Sequence, residues 1–172
     1  MSATDPTATE TSTTQVHRVY IKAPAQKIWD AITSPEWTKQ YGYRGPGEYD
    51  LRPGGTYRAL ATAEMLQFGA PEVVVDGEVI EVDPPHKLVQ TYRMNFSPEL
   101  IAEGFTTVTW EIDEENEHLC SLTVTHDVTG APFHGAATSG IAHGKLNEGG
   151  GGWPFVLSDL KSLLETGTAF EF

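Results

Sequence analysis

The chain has 172 residues, a formal net charge of −13 and an apolar fraction of 39%, which fits one domain with a sufficient core. A surface this acidic repels phosphate groups, so we expect no binding to nucleic acid. No segment approaches the roughly 20 apolar residues of a transmembrane helix, and the amino-terminal region lacks the features of a signal peptide. We therefore expect a soluble, cytoplasmic monomer without membrane insertion.

Two domain boundaries follow from composition. Residues 1–14 are rich in threonine and predict a disordered tail, and residues 15–168 predict a single folded domain. The single cysteine, Cys120, excludes an internal disulfide, and its place in an alternating pattern predicts a buried, inert thiol.

The predicted elements begin with a strand at residues 15–22, where apolar and polar residues alternate. A helix follows from Pro24 to Ser34, and a short second helix is predicted at residues 36–41. Residues 64–71 are predicted to form an irregular segment, and residues 113–118 are predicted to form an acidic hairpin loop. The remaining strands are predicted at residues 47–51, 56–61, 73–82, 88–96, 106–112 and 119–128.

Residues 130–152 contain 8 of the 17 glycines, which predicts a mobile gate. Pro154 and Gly167 then bracket an amphipathic carboxy-terminal helix. Strands in series with helices at the ends indicate an α+β fold. One helix cannot cover six flat strands, so the sheet should curl around it and leave a space between them.

Five stretches in this order resemble a known family: VYIKAPAQKIWDAITSPEWTKQY, LRPGGTYRAL, GEVIEVDPPHKLVQTYRM, SLTVTHDV and GGWPFVLSDLKSLLE. The chain resembles the START-like (SRPBCC) superfamily, and within it the branch named after activators of the heat-shock-protein-90 ATPase, with likeness to polyketide cyclases. The resemblance implies a helix-grip fold. Six to seven antiparallel strands would curve around the long last helix, with two short helices after the first strand. The glycine run at residues 149–152 departs from the family pattern.

The resemblance also implies a cavity lined by the concave sheet face and the last helix. Carried over by position, its lining would be Tyr57, Tyr92, Met94, Trp110, His126, Trp153 and Leu157, with Tyr41, Tyr43, Met65 and Phe68 near the mouth. The alternative is that these side chains only fill the core.

Alternation with Leu122 and Val124 points His126 inward, where it is a candidate general base or hydrogen-bond donor to a ligand. The alternative is a neutral histidine bonded to a neighbouring group. His134 and His143 are interpreted as exposed lid residues, and their spacing from His126 matches no compact metal motif. We expect no metal and no cofactor.

The carboxylates of Glu78 and Glu81 are interpreted as surface charges of the sheet. A second interpretation pairs them with Arg58 or Arg93, or assigns one as an acid.

Three functions remain open. The first is binding of a hydrophobic, aromatic or polycyclic small molecule (lipid or polyketide-like), with sequestration or self-resistance in natural-product biosynthesis as one form. The second is a cyclase or dehydratase with His126 as general base, in which His126 and a tyrosine such as Tyr92 would move protons. The third is a co-chaperone-like interaction module, which requires an exposed apolar patch on the outer sheet face.

Overall fold

Seven antiparallel strands form one curved, open sheet in the computed structural model, which describes residues 13–141, 146 and 149–172. The spatial order is β1-β7-β6-β5-β4-β3-β2, so every neighbouring pair of these strands except β1–β7 is consecutive in the chain. The strands are β1 (Thr14–Ile21), β2 (Gly47–Tyr49), β3 (Thr56–Leu60), β4 (Val73–Asp83), β5 (Lys87–Met94), β6 (Thr106–Asn116) and β7 (Leu119–Asp127). The predicted α+β class is confirmed.

Within the described residues, six helices accompany the sheet: α1 (Ala25–Thr33), α2 (Pro35–Thr38), α3 (Ala63–Gln67), α4 (Pro98–Glu103), α5 (Pro132–Thr138) and α6 (Gly152–Thr166). The two short helices after β1 and the long last helix agree with the helix-grip expectation. Among the described residues, no helix is long and apolar enough to cross a bilayer.

Two local predictions were wrong in the same way, because the elements are too short or too polar to show a period. Residues 63–67 form α3, which is capped by Thr62: its hydroxyl accepts from the Met65 N–H at 3.2 Å. The predicted acidic loop is mostly strand, since β6 continues to Asn116 and β7 begins at Leu119.

The core lies between one sheet face and the apolar sides of α1 and α6. Its fully buried side chains include Ile28 of α1, Leu122 and Val124 of β7, and Leu160 of α6. Cys120 is buried here too, and burial raises the pKa of its thiol, as expected for an inert cysteine.

The glycine-rich segment is partly a structured junction. Pro132–Thr138 form α5, whose carboxy-terminal end packs against the start of α6. A Cβ at Gly152 would lie 2.4 Å from the Thr138 carbonyl oxygen, so glycine permits this close approach. Residues 132–138 of the predicted gate therefore form a helix, and gating stays a prediction. Residues 142–145 and 147–148 lie outside the described residues, as does most of the predicted tail.

Candidate functional site

Tyrosines gather on the face of the sheet that α6 covers. Tyr49 and Tyr57, directly paired across β2 and β3, stack with ring centroids 4.4 Å apart. Four predicted site residues belong to one apolar cluster: Tyr57, Tyr92, Met65 and Met94. The same cluster contains Tyr49, Val74 and Val75. Sequence reasoning missed Tyr49, because three residues of strand are too few to show alternation.

The hydroxyls of these tyrosines differ in their partners. Tyr41 donates to the Ala31 carbonyl at 2.8 Å, Tyr49 donates to Gln90 Oε1 at 2.7 Å, and the Tyr43 oxygen accepts from the Gly151 N–H at 3.0 Å. The Tyr92 hydroxyl, by contrast, makes no hydrogen bond to any residue within the described ranges, and its oxygen is not sealed from solvent. Burial raises the pKa of Tyr92, so this hydroxyl stays protonated and can donate.

His126 lies beside Tyr92 with no free ring nitrogen. Trp153 Nε1–H donates to His126 Nδ1 at 3.1 Å, which assigns the ring proton to Nε2. Nε2–H then donates to Thr106 Oγ1 at 2.7 Å, and that hydroxyl donates to the Tyr92 carbonyl at 2.8 Å. Desolvation, followed by the charges of His134 and His17, lowers the pKa of the fully buried His126 to about 3. This is the arrangement expected for a neutral structural histidine.

Aromatic rings fill the space between His126 and α6. The Trp153 ring lies 5.3 Å from Trp110, 5.8 Å from Tyr92 and 5.9 Å from His126, measured between centroids. Trp110, Trp153 and Leu157 are all buried in the main core. The predicted lining residues therefore pack against one another, and a ligand reaching them would lie on a floor of aromatic side chains.

The four predicted mouth residues lie in different surroundings, and the prediction is wrong for Tyr41. Tyr43 is half-buried and packs against Phe155 of α6 at 5.3 Å, whereas Tyr41 is buried in the core. Met65 contacts the Tyr57 cluster from α3, and Phe68 at the end of α3 is 84% exposed.

His134 was predicted to be an exposed lid residue. This prediction is wrong, because His134 is fully buried. Its Nδ1 lies 2.7 Å from Glu103 Oε1, and its Nε2 accepts from the Met94 N–H at 2.9 Å. The same carboxylate accepts from the backbone N–H groups of Phe133 and His134 and thereby joins α4 to α5, while His134 joins α5 to β5. His143 lies outside the described residues. In the part of the chain that the structure covers, no three metal-ligating side chains come together.

The carboxylates of β4 are surface charges, as in the first interpretation. Glu81 pairs with Lys87 at 3.3 Å, while Arg93 pairs with Asp76 and Arg58 with Glu48. The predicted pairing of Glu78 or Glu81 with these arginines is therefore wrong.

A groove of about 720 Å³ lies on the outer face of the sheet, and Tyr57 of β3 is among its lining residues. Its floor carries Arg58 and Arg93, and its wall carries Ile101 and Phe105, which are 44% and 53% exposed. The Arg93 guanidinium lies over the Phe105 ring at 4.5 Å. Exposed apolar side chains therefore line part of this groove, although its strand residues Thr91, Arg93 and Asn95 are polar.

Solved structures share this architecture. CalU16 from Micromonospora echinospora is 20% identical with a TM-score of 0.58, over 90% of this chain and 77% of that protein. DynU16, a protein of the dynemicin biosynthetic locus, is 23% identical with a TM-score of 0.62, over 93% of this chain and 50% of DynU16. PFC0360w, an HSP90 activator from Plasmodium falciparum, is 20% identical with a TM-score of 0.52, over 89% and 88%.

These likenesses establish the fold. No curated protein matches the chain by sequence. The family model described as activator of Hsp90 ATPase homolog 1-like protein matches residues 22–165, which is most of the chain. The chain therefore belongs to this family, within the superfamily that the five sequence stretches indicated.

Proposed function

We propose that the protein binds a hydrophobic, aromatic or polycyclic small molecule of lipid or polyketide type on the tyrosine-lined face beneath α6. The observation that carries this proposal is the Tyr92 hydroxyl, which lacks a partner among the described residues although it lies in an aromatic cluster. The neighbouring hydroxyls of Tyr41 and Tyr49 are already bonded. A polar group of this kind is suited to donate to a carbonyl or hydroxyl of a flat apolar ligand.

The proposed site has an accessible end and a packed floor. Tyr43, Met65, Tyr92 and Met94 would contact the ligand first, with Phe68 at the rim. The floor would be formed by buried residues: Tyr41, Tyr57, Trp110, His126, Trp153 and Leu157. Burial of about 300 Å² of apolar ligand surface would contribute roughly 7 kcal/mol at ~25 cal/mol/Å² before the cost of association.

Binding without turnover fits the site better than catalysis. A general base works best with a pKa near the operating pH and with a free lone pair. The pKa of His126 is lowered to about 3, and its Nδ1 lone pair is occupied by the Trp153 N–H. Sequestration of a toxic metabolite is one biological form of such binding, and the occurrence of DynU16 in a biosynthetic locus supports it by analogy of fold.

Tryptophan fluorescence tests the proposal, because Trp110 and Trp153 adjoin the proposed site. The wild type should show saturable quenching with a hydroxylated anthraquinone or with a long-chain fatty acid. Replacement of Trp153 by Phe should reduce the signal more than replacement by Phe of Trp37, which lies on α2 and has no ring contact with Tyr92 or Trp153 among the described residues. If neither the anthraquinone nor the fatty acid gives a saturable change in fluorescence, the proposal is contradicted.

A second candidate function is a protein interaction with an Hsp90-type ATPase through the outer-face groove. Exposed Ile101 and Phe105 favour it, since a co-chaperone module requires an apolar patch on that face. The family description and the HSP90 activator among the structural neighbours supply the partner.

Calorimetry with the Hsp90 of the same organism tests this second candidate. Binding should be weakened by Phe105→Ala, because an exposed ring in the groove is removed. It should be unaffected by Phe68→Ala, which removes an exposed ring that does not line the groove. Equal affinity of both variants, or no binding by the wild type, contradicts it.

A further inference from the structure

Asp159 is a buried carboxylate on the otherwise apolar inner side of α6. Its side chain is fully buried, and its neighbours along the helix, Leu157, Leu160 and Leu163, belong to the core. A buried charge is costly unless it is paired and hydrogen-bonded. The partners of Asp159 therefore indicate what it holds in place.

These partners come from two separate segments. Asp159 Oδ2 accepts from the Gly42 N–H at 2.8 Å and pairs with Arg44 Nη1 at 3.3 Å. Asp159 Oδ1 accepts from the Phe170 N–H at 2.6 Å. One carboxylate thus joins α6, the loop of residues 41–44 and the segment that follows α6.

The loop has an unusual conformation that depends on these bonds. Gly42 has φ of 61° and Arg44 has φ of 67°, and a non-glycine residue with positive φ is disfavoured unless contacts hold it there. Arg44 donates to the Phe170 carbonyl at 2.7 Å and to the Gln40 carbonyl, in addition to Asp159. The guanidinium is thus fixed between the loop and the segment after α6.

Aromatic contacts extend the same junction toward the proposed ligand site. The Tyr43 ring packs against Phe155, which contacts Phe170 at 6.3 Å and Phe172 at 5.1 Å. Arg44 lies 5.6 Å from the centroid of the Phe172 ring. Residues 168–172 therefore form a strap across the outside of the loop that carries Tyr41 and Tyr43.

We infer that Asp159 is a positioning residue for the ligand site: it fixes the loop of residues 41–44, beneath the strap, so that Tyr43 closes one side of the mouth. This inference rests on the proposed function. Loosening the carboxylate would leave the contact residues unchanged but would let ligand enter and leave faster. Asp159 would then control exchange rates more than equilibrium affinity.

The variant Asp159→Asn tests the inference, with Glu165→Gln as the matched control for removal of an acidic group from the exposed side of α6. Asparagine keeps the shape but places an NH₂ group opposite one of the N–H donors. Amide hydrogen exchange at Gly42 and Phe170 should accelerate by at least about tenfold in Asp159→Asn, with little change elsewhere in the sheet. Unchanged exchange at Gly42, or acceleration throughout the sheet, overturns the inference.

Phe172→Ala is a second variant that removes only a half-exposed ring of the strap, so folding should be preserved. In both Asp159→Asn and Phe172→Ala, dissociation of the anthraquinone probe in stopped flow should be faster than in the wild type. Faster amide hydrogen exchange at Gly42 and Phe170 without faster dissociation of the probe would overturn the role of Asp159 in ligand exchange. If the wild type binds no probe, the proposed function fails instead, and the exchange data alone decide whether Asp159 holds the loop.

Discussion

Tyr92 and His126 lie 5.2 Å apart between ring centroids, yet their surroundings give them opposite capacities. Both nitrogens of His126 are engaged, by Trp153 and by Thr106, so the imidazole has nothing left for a ligand. Tyr92 keeps its hydroxyl proton and has no partner for it within the described residues. At the scale of single residues, the proposed ligand recognition would therefore depend on the Tyr92 hydroxyl, with His126 as a structural neighbour.

Tyr92→Phe should weaken ligand binding by about threefold to tenfold, which corresponds to the net free energy of one hydrogen bond. It should have little effect on the stability of the fold. The change removes only the oxygen, so the aromatic surface of the site is kept. Titration followed by tryptophan fluorescence measures the effect, and Tyr20→Phe, at a half-exposed position on β1, is the control. Equal affinities in the two variants would show that the hydroxyl does not contact the ligand.

The free energy of unfolding should decrease as the pH is lowered, because of His126. Its pKa is 6.5 in the unfolded chain and is lowered to about 3 by burial in the folded chain, so only the unfolded chain takes up a proton between these values. Between pH 6.5 and about pH 4, this one group should reduce the free energy of unfolding by about 3 kcal/mol. Urea denaturation at several pH values measures the slope.

The matched variant for this pH effect is His126→Gln, which keeps a polar side chain but cannot be protonated. Its overall stability should be lower, and its loss of stability over the same pH range should be smaller than in the wild type. Identical pH slopes for the two proteins would contradict a neutral, buried His126.

Among the elements, α4 and α5 are joined to the end of β5 by the Glu103–His134 pair. Glu103→Gln should reduce the free energy of unfolding by about 1–3 kcal/mol, because the amide can satisfy only part of the three hydrogen bonds that the carboxylate accepts. Chemical denaturation measures the change, with Glu99→Gln on the exposed side of α4 as control. If Glu103→Gln lowers the free energy of unfolding no more than Glu99→Gln does, the Glu103–His134 pair contributes little to stability.

Prediction from sequence worked for elements with a clear period and failed for short or mixed ones. Strands β4 to β7 and helix α6 follow alternation or three-four spacing, and tertiary packing preserved them. Helices α3 and α5 have at most seven residues, which is less than two full turns beyond their caps. The start of α4 did carry a signal, since Ser97-Pro98 is an ordinary helix start and Ser97 caps the Leu100 N–H.

The candidate site was predictable in its composition and not in its chemistry. Strand alternation and family position together named Tyr57, Tyr92 and Met94, and the structure brings them into one cluster. Which hydroxyls are engaged depends on groups far along the chain, such as Gln90 for Tyr49 and Gly151 for Tyr43. The burial of His134 likewise depends on Glu103 and Met94, which no local pattern connects to it.

At the scale of the whole molecule, the two faces of the sheet have different properties. One face, beneath α6, concentrates tyrosines and methionines, and the other holds the open groove with Ile101 and Phe105. A small apolar ligand and a protein partner would thus use opposite faces. The central claim is that the ligand binds on the tyrosine face.

Methyl NMR of methionine tests that claim most directly, because the chain has three methionines: Met1, Met65 and Met94. Met65 and Met94 contact the tyrosine cluster, and Met1 lies far outside the proposed site in sequence. Titration with the anthraquinone or fatty-acid probe should shift the Met65 and Met94 methyl signals together and saturably, and should leave Met1 unchanged. Binding detected by fluorescence with no shift of Met65 and Met94, or no binding of either probe, would contradict the account.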